Sequence, residues 1–170
     1  ELVRALRPEQ RGKAILFPST RTEDIPPERF FGGDGRIDVG AFKDNIIVPY
    51  EGIAGEEMSA GQHELLLNVV RSFIGRIRPG HAEIRMDEIR RHLAATHFAW
   101  MGGTDDDSVF FFKVHSPVVL IEFDHQRGVF LDNDEPERFH IHSIVRTPNG
   151  NDYGRDLLRQ HYQLSHTRNP

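Results

Sequence analysis

Two histidines one residue apart, His140 and His142, lie in the apolar, β-branched stretch RFHIHSIVRT. On a strand, residues two apart leave the same face, so this spacing offers two imidazoles to one cation. A third and fourth ligand must then come from neighbouring strands. His115 in FKVHSP and Glu122 in VLIEFD are the candidates. Glu122 is the more telling, because a carboxylate set among Val119, Leu120, Ile121 and Phe123 is costly to bury without a cation, an arginine or hydrogen bonds. Glu122 and His115 are an odd number of residues apart, so they share a face only if the Ser116-Pro117 step is a turn or bulge.

The chemistry of such a set is metal-assisted. His140, His142 and either His115 or Glu122, with His115 ranked as the ligand, would hold a divalent ion, zinc first, with an open position for a water whose pKa falls toward ~7. Glu122, where it is not a ligand, would act as general base, and Arg146, four residues beyond His142 on the same strand face, would steady an anionic substrate group. Copper or iron on the same ligands would support oxidative chemistry instead. Each residue also has a structural reading. Glu122 can pair with Arg146 or another arginine, Arg146 with Asp152 or Asp156, and the histidines with backbone carbonyls. Trp100 in FAWMGG is a stacking surface for a sugar or aromatic substrate, although a lone strand Trp is more often core. His161, one helical turn after Leu157, is a second substrate-facing candidate whose ordinary role is core or surface. Asp105, Asp106 and Asp107 are consecutive and lack calcium-loop spacing, so they read as a solvated turn. There is no HExxH, Walker-type loop or GxSxG elbow. The residues after the HxH also lack the glutamate of a cupin-like site.

The elements that must position these residues divide the chain in three. ELVRALRPEQRGKAIL reads as amphipathic helix, with Pro8 opening its second part. Phe17 to Glu51 is rich in Pro, Gly, Asp and Arg and reads as a long surface loop, functional or packed on a missing partner. MSAGQHELLLNVVRSFIGRI has a capping box at Ser59 and Gln62 and an apolar stripe through Leu65, Leu66, Val69, Val70, Phe73 and Ile77. HAEIRMDEIRRHLA follows as a second helix, with Ala82, Met86, Ile89 and Leu93 on one face.

HFAWMGG, SVFFFKVHS, PVVLIEFDH, GVFLD and FHIHSIVRT read as strands whose short connections force antiparallel neighbours. DYGRDLLRQHYQL closes as a helix with Asp152 at its N-cap and Leu157, Leu158 and Tyr162 as its packing face. The sum is one α+β domain over residues 1–170, an antiparallel sheet with amphipathic helices on one side.

Composition narrows the partners. The 21 basic and 26 acidic residues leave a net charge of −5, which disfavours nucleic acid and anionic membrane, and no apolar run approaches a membrane span. With no cysteine, thiolate metal sites and a cysteine nucleophile are excluded. The expected partner is a small-molecule substrate.

Three stretches carry a family resemblance: LVRALRPEQRGKAIL, FAWMGGTDDDSVFFFKVHSPVVLIEFDHQ and HIHSIVRTPNGNDYGRDLLRQHY. Together they resemble the C-terminal half of the family of domain of unknown function 3500, weakest over Arg21 to Glu51. The matching positions are His115, Glu122, His140, His142, Arg146, Asn151, Asp152, Gly154, Asp156, His161 and Tyr162. The family's name assigns no activity. The resemblance implies a longer polypeptide with a preceding half and, from the export signals of many members, a secreted or periplasmic setting. A missing N-terminal half would then complete the site. The residues support a metal-dependent hydrolase, with an oxidoreductase left open by the choice of metal. The competing reading is a non-catalytic domain that binds a small ligand or carbohydrate beside a structural histidine cluster.

Overall fold

The computed structural model describes residues 1–128, 133–152 and 155–166. Two short helices open the chain, α1 (Leu2–Ala5) and α2 (Pro8–Ala14). The helix expected to continue through Leu16 ends at Ala14, and Ile15–Phe17 becomes strand β1, parallel to the later strand β3 (His97–Gly102). β-Branched Ile15 and the coming Pro18 both disfavour another helical turn there. α3 (Ala60–Ile74) starts as its sequence predicts: Ser59 Oγ accepts from the Gln62 N–H at 3.4 Å, and Gln62 Oε1 accepts from the Ser59 N–H at 2.8 Å. Its buried stripe is Leu66, Leu67, Val70 and Ile74, with Leu65, Val69 and Phe73 partly covered. Ile77, assigned to that stripe from sequence, lies past the helix end and is exposed. α4 (Pro79–Arg91) buries Ala82, Met86 and Ile89, while Leu93 falls in the following 3-10 turn.

The sheet is α+β in type, mostly antiparallel, and ordered β1-β3-β4-β5-β6, with short β2 (Ile53–Ala54) paired to β3. β4 (Phe110–His115), β5 (Leu120–His125) and β6 (Ile141–Arg146) follow one another as antiparallel neighbours. Ser116–Val119 makes the β4–β5 turn: the Ser116 N–H donates to the Val119 carbonyl at 2.8 Å, and Ser116 Oγ accepts from the Val118 and Val119 N–H groups.

Strand alternation gives the sheet two unlike faces. Phe98, Trp100, Phe112, Val114, Ile121 and Phe123 face the helices and join the apolar core with Leu66, Val70 and Met86. The other face carries Met101, Phe111, Lys113, His115, Leu120, Glu122 and Asp124, all buried. Its cover is the long segment between β1 and β2, whose Ile25, Arg36, Ile37 and Val39 are buried. The loop expected on the surface is thus the second layer of the domain, and its polar composition matches the polar sheet face beneath it.

The chain closes with α5 (Arg155–Ser165). Asp152, expected as its N-cap, precedes its first residue by three positions. The carboxylate instead accepts from the Asn45 N–H at 2.7 Å and from Arg146 at 3.3 Å. Leu157, Leu158 and Tyr162, expected to pack, are more than half exposed. Most of the strand expected in GVFLD, together with Gly154 and the Asp156 side chain, lies outside the described residues.

Candidate functional site

His115, Glu122, His142 and Arg146 all project from the loop-covered face, because the Ser116–Val119 turn restores the register that their spacing required. The face is shared but the position is not. His115 lies opposite Leu120 and His142 opposite Asp124. At ~3.4 Å per residue and ~4.8 Å per strand, this puts their backbones roughly 16 Å apart. Glu122 pairs with Lys113 on one side and Ile144 on the other, one face position from His142. The structure therefore brings His140 to His142 and leaves His115 and Glu122 elsewhere. Among the described residues no group of three or more His, Cys, Asp or Glu side chains is arranged to hold a metal ion.

Glu122 belongs to a buried charge cluster. Lys113 Nζ reaches Asp38 and Glu51, each at 2.5 Å, and Arg29 pairs with Glu51. Glu122 accepts from the Val39 N–H at 3.1 Å with one oxygen, and its other oxygen has no partner among the described residues. Burial, reinforced by the Asp38 charge, pushes the Glu122 carboxyl up to about 7, against the pull of Lys113. Burial favours loss of the Lys113 proton, but Asp38, Glu122 and Glu51 outweigh it and raise the ammonium above its ordinary value. His115 stacks on Tyr50 at a centroid distance of 4.1 Å, and among the described residues neither ring nitrogen has a hydrogen-bond partner. Burial first, then the Lys113 charge, lower it to about 4, so its imidazole is neutral at pH 7.

The His140–His142 end is more open. Arg36 lies at its base, held in a buried ion pair with Asp124 at 2.8 Å. Arg36 also donates to the Thr20 carbonyl at 2.6 Å and the His125 carbonyl at 2.5 Å, so each of its three guanidinium nitrogens has a partner. Burial raises the Asp124 carboxyl, and Arg36 works against that rise. Above this base is a pocket of about 440 Å³ between Phe30–Arg36 and Gln126–Gly128, with His140 and His142 as its wall. The two Nε2 atoms are 3.2 Å apart. Gly128 leaves room for the ring where it stands, because a Cβ on it would lie 2.4 Å from His140 Cε1. Arg127 stands over the Phe30 ring at 5.2 Å, and among the described residues no carboxylate pairs with it.

The remaining candidates lie apart from this pocket. Arg146 is committed to Asp152, Asp44 and the carbonyls of Lys43 and Gly40, and so ties the covering segment to the edge strand. Trp100 is 9% exposed and packs at 4.4 Å on Phe110 in the helix-side core, with its indole N–H donating to Gly102 and Gly103. His161 is on α5, 3.3 Å from His166. Sequence reasoning missed Lys113, Asp124, Arg36 and Asp38. The argument made for Glu122, a charge inside an apolar strand, applied equally to Lys113 and Asp124 and would have found both.

A family model matches residues 1–155, and its description is "Protein of unknown function (DUF3500)". No curated protein and no solved structure matches the chain. No helix among the described residues is long and apolar enough to cross a membrane.

Proposed function

We propose that this chain, which belongs to the DUF3500 family, binds a small organic anion in the pocket walled by His140 and His142. The observation that carries this reading is the pocket itself. It has about 440 Å³ of space, lined by the Phe30 ring, by glycines that leave it open, and by the polar side chains of Arg36, Gln126, Arg127, His140 and His142. That combination is what small-ligand sites share. Arg36 is spent on Asp124, so the charge available to a ligand is Arg127, with the two imidazoles as hydrogen-bond partners.

A second reading rests on the imidazole pair. Two zinc–nitrogen bonds of ~2.0–2.1 Å at a tetrahedral angle place their nitrogens about 3.3 Å apart, close to the 3.2 Å between the Nε2 atoms. The pair would then hold a divalent ion, zinc before copper or iron, with open positions for ligand and water. An ion held there would supply an activated water for hydrolysis, and Arg127 would face the substrate. Glu122 and His115 have no part in it, and Arg146 keeps its structural bonds. One feature weighs against it: His140 Nδ1 is buried without a partner among the described residues, whereas metal-bound histidines ordinarily donate from that second nitrogen.

Both readings are tested by titrating full-length protein separately with sodium benzoate and zinc chloride, using calorimetry. The first predicts saturable benzoate binding that Arg127→Ala and His142→Ala weaken at least tenfold. The second predicts one zinc per chain, lost in a His140→Ala, His142→Ala double variant. If benzoate and zinc both give only heats of dilution, both readings fail.

A further inference from the structure

The helix-side face of the sheet is not covered to its edge. Beyond α3, the rings of Phe110, Phe112 and Phe123 floor an open groove of about 720 Å³ between Phe73 of α3 and Ile141 and Val145 of β6. Ile141 and Val145 are 48% and 45% exposed. The same chain carries a helix with the complementary defect. On α5, Leu157, Leu158, Tyr162 and Leu164 share one side, Arg155, Arg159 and Gln160 occupy the other, and all four apolar side chains are more than half exposed. A short helix with such a stripe draws its stability from packing the stripe against something.

We infer that α5 of one copy seats in the β6 groove of a second copy, and reciprocally, so that the chain forms a symmetric dimer. The helix cannot reach its own groove. Asp152 is held by Arg146 and the Asn45 N–H on the loop-covered side of the sheet, and it is itself buried. α5 begins three residues later. Three residues span at most ~10–11 Å, whereas the path from that side, past the edge strand, to a helix packed on the opposite face is on the order of 15 Å. α5 therefore leaves its own domain facing outward, and the matching groove is on another copy. The lengths also agree: an 11-residue helix is ~16 Å long, and the six residues of β6 run roughly 17–20 Å. A two-fold axis makes the contact twice, which is how two helix-sized contacts approach the ~1,200 Å² of the smaller specific interfaces.

Sedimentation equilibrium on the full chain, with two variants, tests this. Leu157→Glu with Leu164→Glu charges the α5 stripe at exposed positions. Ser143→Arg blocks the groove at an exposed position of β6. Neither change touches a buried side chain. The expected result is a species of twice the 19.5 kDa chain mass for the unaltered protein and a monomer for each variant. Mixing the two variants should partly restore the dimer, because the mixed pair retains one intact helix–groove contact. A monomeric unaltered chain overturns the inference. So does a dimer that survives the α5 charges, which would indicate pairing of β6 edges instead. Strong hydrogen-exchange protection of α5 in a monomer would overturn it by showing that the helix docks at home.

Discussion

Glu122→Gln tests the electrostatics of the loop-covered face most sharply, because two buried groups there titrate in opposing directions over the same range. Three carboxylates (Asp38, Glu51, Glu122) surround two cations (Lys113, Arg29), so one proton on Glu122 balances the cluster. The folded carboxyl holds its proton up to about 7 against an ordinary 4.5, so between those values the folded chain binds more protons than the unfolded one. Its contribution to stability therefore falls as pH rises through that window, by about 3 kcal/mol for a carboxyl this deeply buried. His115 does the reverse. Its folded value is about 4 against 6.5 unfolded, so its contribution is present above 6.5 and is lost as pH falls toward 4. In the unaltered protein the two slopes offset each other.

Glu122→Gln leaves the His115 slope alone. Urea unfolding of both proteins in buffers from pH 4 to 8 should show the variant gaining on the parent by about 3 kcal/mol across the range. Most of the gain falls between 4.5 and 7, where Glu122 is ionised in the unfolded chain and still protonated in the folded one. A stability difference that stays constant with pH would refute the assignment of the raised carboxyl to Glu122.

Three further outcomes follow from the packing. Arg36→Met should cost about 3–5 kcal/mol in urea unfolding by stranding the buried Asp124, and adding Asp124→Leu should recover most of the loss. Gly128→Ala should change stability by less than about 1 kcal/mol, because the crowded neighbour is the end of a rotatable ring. It should nevertheless abolish benzoate binding by turning His140 out of the wall, as calorimetry would show. Ser59→Ala should lower stability by about 0.5–1 kcal/mol through loss of the α3 cap, measured by thermal unfolding.

The helix side of the domain was legible in the sequence because its signals are local. The Ser59–Gln62 capping box, the Ala82, Met86 and Ile89 face of α4 and the aromatic, β-branched run FFFKVH each mark an element without reference to distant residues. The loop side was not legible in that way. Nothing in GGDGRIDVGAF announces by periodicity that Arg36 will pair with Asp124, 88 positions away, or that Val39 will donate to Glu122. Those contacts depend on how the covering segment is threaded. Alternation put His142 and Arg146 on one surface and made His115 and Glu122 share a face only through a turn at Ser116-Pro117, which the structure has, but alternation carries no information about distance along the sheet, and the cross-strand register separated His115 from His142. The exposed stripe of α5 shows the same limit: the pattern predicted a packing face, and the partner for that face lies beyond the chain's own reach.

The proposal that the His140–His142 wall receives the ligand is tested most directly by histidine-ring NMR during a benzoate titration of the full chain. The account predicts that the ring signals of His140 and His142 shift together and saturate, while those of His115, His97 and His161 stay in place. Equal drift of all histidine signals, or saturation at any histidine other than this pair, would contradict it.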